Sequence, residues 1–129
     1  TKFACFVNKS NRKTLKDIIL KSKNIKYCFM YLLHTKENCK NLIDIILKSN
    51  KPKYIFDLIK IDRNLSNIVE SRLVELNAIR YLRLFAVRVK NCDLERIEKT
   101  IISTQNLEEV KKFGLSVKRS KLHVFSVIL

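Results

Sequence analysis

The chain repeats itself. Leu15-Lys-Asp-Ile-Ile-Leu-Lys-Ser22 recurs as Leu42-Ile-Asp-Ile-Ile-Leu-Lys-Ser49, 27 residues later. Lys26-Tyr27-Cys28-Phe29 aligns with Lys53-Tyr54-Ile55-Phe56 in the same register. Another step of 27 brings Arg80-Tyr81-Leu82 onto that column, with Val69 and Leu73 under Leu42 and Ile46. A step of 28 adds Ile97, Ile101, Ile102 and Thr104, then Val110 and Phe113. A period of this size restricts the fold to stacked copies of one supersecondary unit, because no single copy can bury its own apolar face. The repeats run over about 15–41, 42–68, 69–96 and 97–123, with partial repeats at both ends, and make one helical-repeat domain, 1–129.

Each repeat reads as two short helices. In the first, positions 15, 18, 19 and 22 follow the i, i+3, i+4, i+7 rule of one helical face. In the second, positions 28, 31, 32 and 35 do so, and the column 31/58/85/113 holds Tyr, Leu, Phe and Phe. The breaks Ser22-Lys23-Asn24, Ser49-Asn50-Lys51-Pro52 and Thr104-Gln105-Asn106 supply caps, and Pro52 suits a first helical turn. Phe3, Cys5 and Phe6 resemble the tail of a preceding second helix. Val124, Val127, Ile128 and Leu129 resemble the start of a fifth first helix, so the chain is expected to begin and end within an array. Helices of this length are marginal alone and need neighbours. The expected fold is therefore all-α, a short α-solenoid of stacked two-helix repeats.

Composition agrees. One Gly and one Pro in 129 residues exclude an all-β barrel and glycine-rich phosphate loops. At 47% hydrophobic the chain is no disordered basic tail. The longest apolar run, Tyr27 to Leu33, is too short to span a bilayer. With 27 Lys+Arg against 12 Asp+Glu, the net charge of +15 attracts acidic polymers, although AT-rich codon usage produces the same Lys and Asn bias.

Phe85-Ala-Val-Arg-Val-Lys-Asn-Cys-Asp-Leu94, with Ile97 and Thr100-Ile-Ile-Ser103, resembles a short tandem α-helical repeat, L-x-x-A-I-I-x-S…Y-I-x-x-F-A, of bacterial, phage and giant-virus proteins. The resemblance covers about residues 15–118, lacks the family's Gly after Ser in every copy, and has Arg72-Leu73 where the Ile pair stands. It implies a right-handed helical solenoid and supplies no catalytic residue.

The register turns scattered charges into columns. Lys9, Lys36, Arg63, Lys90 and Lys118 fall at the expected exit of the second helix. Lys26, Lys53 and Arg80 fall at its start, where Glu108 breaks the column. Lys13 and Lys40 form a shorter third. Stacked helices about 8–10 Å apart would make each column a stripe able to follow phosphates. Helix junctions are also the ordinary place for Lys and Arg, so solvation alone accounts for the same residues. Tyr27, Tyr54 and Tyr81 beside the second column suit either base stacking or a widened core. Phe29 and Phe56 are expected off the core face.

No catalytic constellation emerges. Glu95, Glu98, Glu108 and Glu109 read as surface carboxylates, and His34 and His123 lack partners at metal-ligand spacing. Cys5, Cys28, Cys39 and Cys92 contain no C-x-x-C pair, which points to small packing residues in a reducing, intracellular compartment. The function expected is a non-enzymatic module, without cofactor or metal, that presents basic stripes to RNA or single-stranded nucleic acid, within a ribonucleoprotein for instance. The alternative is a protein-interaction scaffold, such as a viral or bacterial effector domain, docking an acidic protein.

Overall fold

Helix boundaries fall where polar turns interrupt the apolar columns. The computed structural model describes the backbone of residues 9–37 and 39–128. Phe3, Cys5, Phe6, Leu129 and the side chain of Lys9 lie outside the described residues. Every regular element among those described is helical: α1 (Lys9–Ser22), α2 (Ile25–Thr35), α3 (Lys40–Lys48), α4 (Pro52–Ile61), a 3₁₀ turn (Arg63–Leu65), α5 (Ser66–Glu75), α6 (Ile79–Arg88), α7 (Leu94–Ser103), α8 (Leu107–Ser116) and α9 (Leu122–Ile128). The second helices start at Ile25, Pro52, Ile79 and Leu107, intervals of 27, 27 and 28 residues.

The chain divides into two compact units, Thr1–Leu65 and Ser66–Leu129. In the first, α2 packs on α1 and on both α3 and α4. In the second, α6 packs on α5 and on both α7 and α8, and α9 lies against α8. Within each unit, then, the second helix of one pair supports both helices of the next. The columns read from the sequence are the core: Tyr31, Leu58, Phe85 and Phe113 are buried, as are Leu42, Val69 and Ile97, and Ile46, Leu73 and Ile101. Burying each of these contributes roughly 1.5–3 kcal/mol.

Three expectations need correction. Phe29 and Phe56 do not leave the core face; they are 7% and 3% exposed, and the Phe29 ring on α2 meets the Tyr54 ring on α4 at 5.6 Å. Position 18, assigned to the apolar face of α1, is 59% exposed, and Ile19 alone carries that turn inward. Glu98 is not a surface carboxylate. It is buried, accepting from the Ser120 hydroxyl and from the Lys121 N–H at 2.9 Å. Glu70, 28 residues earlier, does the same one repeat back: it accepts from Asp93 N at 2.8 Å and from the Arg96 guanidinium. Each carboxylate reaches 23 residues on, from a first helix to the N-terminal end of the next one, and satisfies a backbone donor there.

The turns are built without glycine. Ser22 and Thr104 hydroxyls donate back to Ile19 and Ile101 carbonyls and accept from Asn24 and Asn106 N–H, whose side chains then cap α2 and α8. Between them Lys23, Asn77 and Gln105 adopt φ of 52°, 50° and 53° at equivalent positions, and Lys36 ends α2 at 56°. A left-handed residue with a Cβ costs about 1–2 kcal/mol, less for Asn. The single glycine serves another need: a Cβ on Gly114 would collide with the Leu122 carbonyl and the Ser126 side chain, where α8 and α9 touch.

Gln105→Gly should raise stability by about 1 kcal/mol in denaturant unfolding, and Asn77→Gly by less. Gly114→Ala should lower it, because overpacking of about 1–3 kcal/mol exceeds a helix-propensity gain of about 1. Hydrogen exchange should then show α9 amides losing protection first. Glu70→Ala should cost about 2 kcal/mol, since the Asp93 N–H and the partly exposed Arg96 lose their acceptor.

Candidate functional site

Charge is unevenly shared between the two units. Residues 1–65 hold 15 Lys+Arg against 5 Asp+Glu, a net +10, and residues 66–129 hold 12 against 7, a net +5. The carboxylates are largely engaged. Glu37, Asp57, Glu70, Glu75, Glu95 and Glu109 each pair with a Lys or Arg, and Glu98 is buried. By contrast Lys26, Lys36, Lys53, Arg80, Lys90 and Lys118 are all exposed and make no ion pair with a described residue.

In the first unit, one rim lies at the helix starts. Lys26 and Lys53 are the second residues of α2 and α4, in first turns that contain no acid. Asn24 Oδ1 caps α2 by accepting from Tyr27 N, whereas Lys51 gives α4 no side-chain cap. Tyr27 is 49% exposed. Tyr54 is half-buried against Phe29, and the Lys53 ammonium stands 6.0 Å over its ring. The opposite rim lies at the helix exits: Lys36 ends α2 in the left-handed conformation, and exposed Arg63 opens the 3₁₀ turn after α4. Lys9 departs from this column. It opens α1, which runs one turn further toward the N-terminus than its register predicts, leaving Lys13 inside the helix where Lys40 starts one.

The second unit repeats the pattern in part. Arg80 is the second residue of α6, its guanidinium 5.9 Å over the half-buried Tyr81 ring. Lys90 and Lys118 follow α6 and α8 at their exits. Glu108 and Glu109 replace cation and tyrosine at the start of α8, and Glu109 pairs with Arg83 at 3.7 Å. Of the three tyrosines read as stacking candidates, Tyr27 alone offers a largely open ring; Tyr54 and Tyr81 divide between packing and rim.

Behind the exit rim, the buried Tyr31 hydroxyl donates to Glu37 Oε2 at 3.0 Å, and Lys16 Nζ holds the same oxygen at 3.7 Å. Burial first, and the Glu37 hydrogen bond second, push the Tyr31 phenol up to about 12. Burial likewise raises the thiols of Cys28 and Cys92, the latter opposed by Arg119, whose Nη2 donates to its sulfur at 3.4 Å. Cys28, Cys39 and Cys92 are free thiols. Among the described residues no group of His, Cys, Asp and Glu is arranged to hold a metal, and no helix is long and apolar enough to cross a membrane.

Two features escaped the sequence. The buried acceptors Glu70 and Glu98 follow the core column 69/97 by one residue, which a two-class apolar pattern scores as surface. A cleft near Lys36, lined also by Lys60, depends on how α2 and α4 pack, and no spacing rule announces it.

Because folding raises the Tyr31 pKa, it favours the neutral phenol. That stabilisation is complete below pH ~10 and is lost as pH rises through about 12. Ultraviolet titration should show one late tyrosine ionisation coupled to unfolding, and Tyr31→Phe should abolish the late step. Comparison with family models, with curated proteins and with solved structures gives no match for this chain.

Proposed function

We propose that the protein is a non-enzymatic binding module for the phosphate backbone of RNA or another single-stranded nucleic acid, built as a short α-solenoid. The solenoid reading is supported by the constant spacing of the helix starts and by the same packing order inside each unit. The binding reading is carried by one observation: six cations, three at helix starts and three at helix exits, are exposed and make no ion pair with a described residue, whereas six of the carboxylates pair with a Lys or Arg and Glu98 is buried. At the helix starts the macrodipole opposes a cation, so helix stability does not account for Lys26, Lys53 and Arg80 there. Counterion release from phosphates gives such a surface its affinity, and the rim rings Tyr27, Tyr54 and Tyr81 would contact bases beside the gripped backbone. Localisation in a reducing compartment fits the free thiols.

A second reading has its own support. Val124, Phe125, Val127 and Ile128 on α9 are all more than half exposed, an apolar face of the kind that docks a protein partner. Phe29 and Phe56, expected off the core face, are buried and add nothing to such a surface.

Anisotropy titration of a labelled single-stranded RNA should show log affinity falling linearly with log salt. Charge reversal at Lys36, Arg63 and Lys90 should weaken binding at low salt by at least tenfold. It should also flatten the slope by about 2, as expected when roughly three phosphate contacts are lost. All three side chains are exposed, so circular dichroism should be unchanged. Binding that survives the triple reversal would refute the proposal. Strong salt-insensitive binding to an acidic protein, lost on Phe125→Ser, would favour the scaffold.

A further inference from the structure

Successive second helices meet through one recurring contact. In the first unit Phe29, the fifth residue of α2, lies against Tyr54, the third residue of α4, with ring centroids 5.6 Å apart. In the second unit Arg83, the fifth residue of α6, pairs with Glu109, the third residue of α8, at 3.7 Å. Lys111 is the fifth residue of α8 and follows Arg83 by 28 residues. It is half-buried and makes no ion pair with a described residue. By register, the group that suits Lys111 is the one Arg83 already meets, an acid near the start of a helix.

The first-helix column points to the same place. Leu42, Val69 and Ile97 are 0% exposed, in first helices that each pack against their own second helix, α4, α6 and α8. Phe125 on α9 follows Ile97 by 28 residues and is 61% exposed. An ordinary surface helix turns polar residues outward, whereas α9 turns Val124, Phe125, Val127 and Ile128 outward and has no charged side chain. The tie to a further first helix is missing as well. Ser126 stands 28 residues after Glu98, and its hydroxyl is spent on the Leu122 and Val110 carbonyls at 2.7 and 3.2 Å. Together α8 and α9 therefore suit one added helix.

We propose that α8 and α9 dock a single acidic amphipathic helix of a partner protein, with a Glu or Asp facing Lys111 and apolar side chains one and four residues further on covering Phe125. That spacing is the chain's own: Ile55 and Leu58 follow Tyr54 so, and Val110 and Phe113 follow Glu109. A second copy of this chain fits poorly. Its second helices already bury their apolar columns, its α9 offers no acid to Lys111, and its net charge of +15 repels the first copy. The proposal rests on the second reading of α9 above, gives that partner its chemistry, and does not depend on nucleic-acid binding at the rims.

The test uses amide NMR and fluorescence anisotropy of the full chain with a labelled peptide of about 15 residues, the length at which an isolated helix begins to persist. The peptide carries Glu followed by Leu one and four residues on, and a matched peptide carries Lys in place of that Glu. The Glu peptide should shift amides of α8 and α9 and bind about 2–10-fold tighter than the Lys peptide, as one surface ion pair against one like-charge pair allows. Lys111→Glu should reverse that preference. Lys112→Glu, exposed on the same helix and equal in net charge, should not. Phe125→Ser should weaken both peptides about tenfold with circular dichroism unchanged. A loss in Phe125→Ser without reversal in Lys111→Glu overturns the acidic partner and leaves α9 as a docking face. Binding indifferent to Phe125→Ser overturns both. Sedimentation showing a dimer of the chain alone, lost in Phe125→Ser, would assign the face to a second copy and overturn the partner helix. So would binding to phosphatidylserine vesicles, lost in the same variant, when neither peptide binds. Peptides that fail to bind while α9 amides already exchange slowly in the chain alone would show that the chain covers the face itself, which also overturns the proposal.

Discussion

Helices of 7–14 residues do not persist in water on their own, and this chain contains little else. Everything in the structure answers that constraint. Each second helix closes its face with one large side chain per repeat, Tyr31, Leu58, Phe85 and Phe113, and the first helices α3, α5 and α7 contribute Leu42 and Ile46 or their equivalents. Because α2 and α6 support both helices of the following pair, no helix relies on its own turn alone. The repeat is thus the smallest pattern that lets short helices be stable. The same need explains why the polar connections are so uniform.

Uniform connections in turn sort the charges. The inward acids Glu70 and Glu98 are used as backbone acceptors at helix starts, and others neutralise nearby Lys or Arg. Each of these buried carboxylates ties two helices together through its donors and is withdrawn from the surface. With Glu70 and Glu98 buried and five more carboxylates paired with Lys or Arg, the starts of α2, α4 and α6 are left basic. Charge separation of this kind follows from the packing solution and needs no acid-free sequence.

The fold was largely legible because its signal is periodic. Helix pairs, their polar breaks and the Cys28, Tyr31 and Leu32 face all follow from spacing. What spacing missed was of three kinds. Phe29 and Phe56 lie one residue off a narrow apolar stripe, yet a helix flanked by several others buries a wider arc than one partner would require. Glu98 was misread because polarity was taken as exposure, whereas a buried carboxylate with satisfied acceptors is stable and leaves no apolar mark. Lys9 was placed by register at a junction, and the helix that contains it simply starts a turn earlier. The site itself was half visible: the columns are in the sequence, but which tyrosine ring stays open, and the cleft between α2 and α4, depend on packing.

The two rims do not carry equal weight as evidence of a ligand. Lys36, Lys90 and Lys118 stand at helix exits, where a cation is stabilised by the macrodipole by about 0.3–1 kcal/mol, and stability alone would select them. Lys26, Lys53 and Arg80 stand at helix starts, where the same dipole opposes a cation by a similar amount. The chain has the ordinary solution available and uses it at α8, whose first turn holds Glu108 and Glu109. Three repeats that decline it, each beside a tyrosine, maintain an arrangement that costs stability in the free protein. An anion placed there would meet the dipole and the cation together. Of the two rims, the start rim is therefore the one whose cations helix stability does not explain.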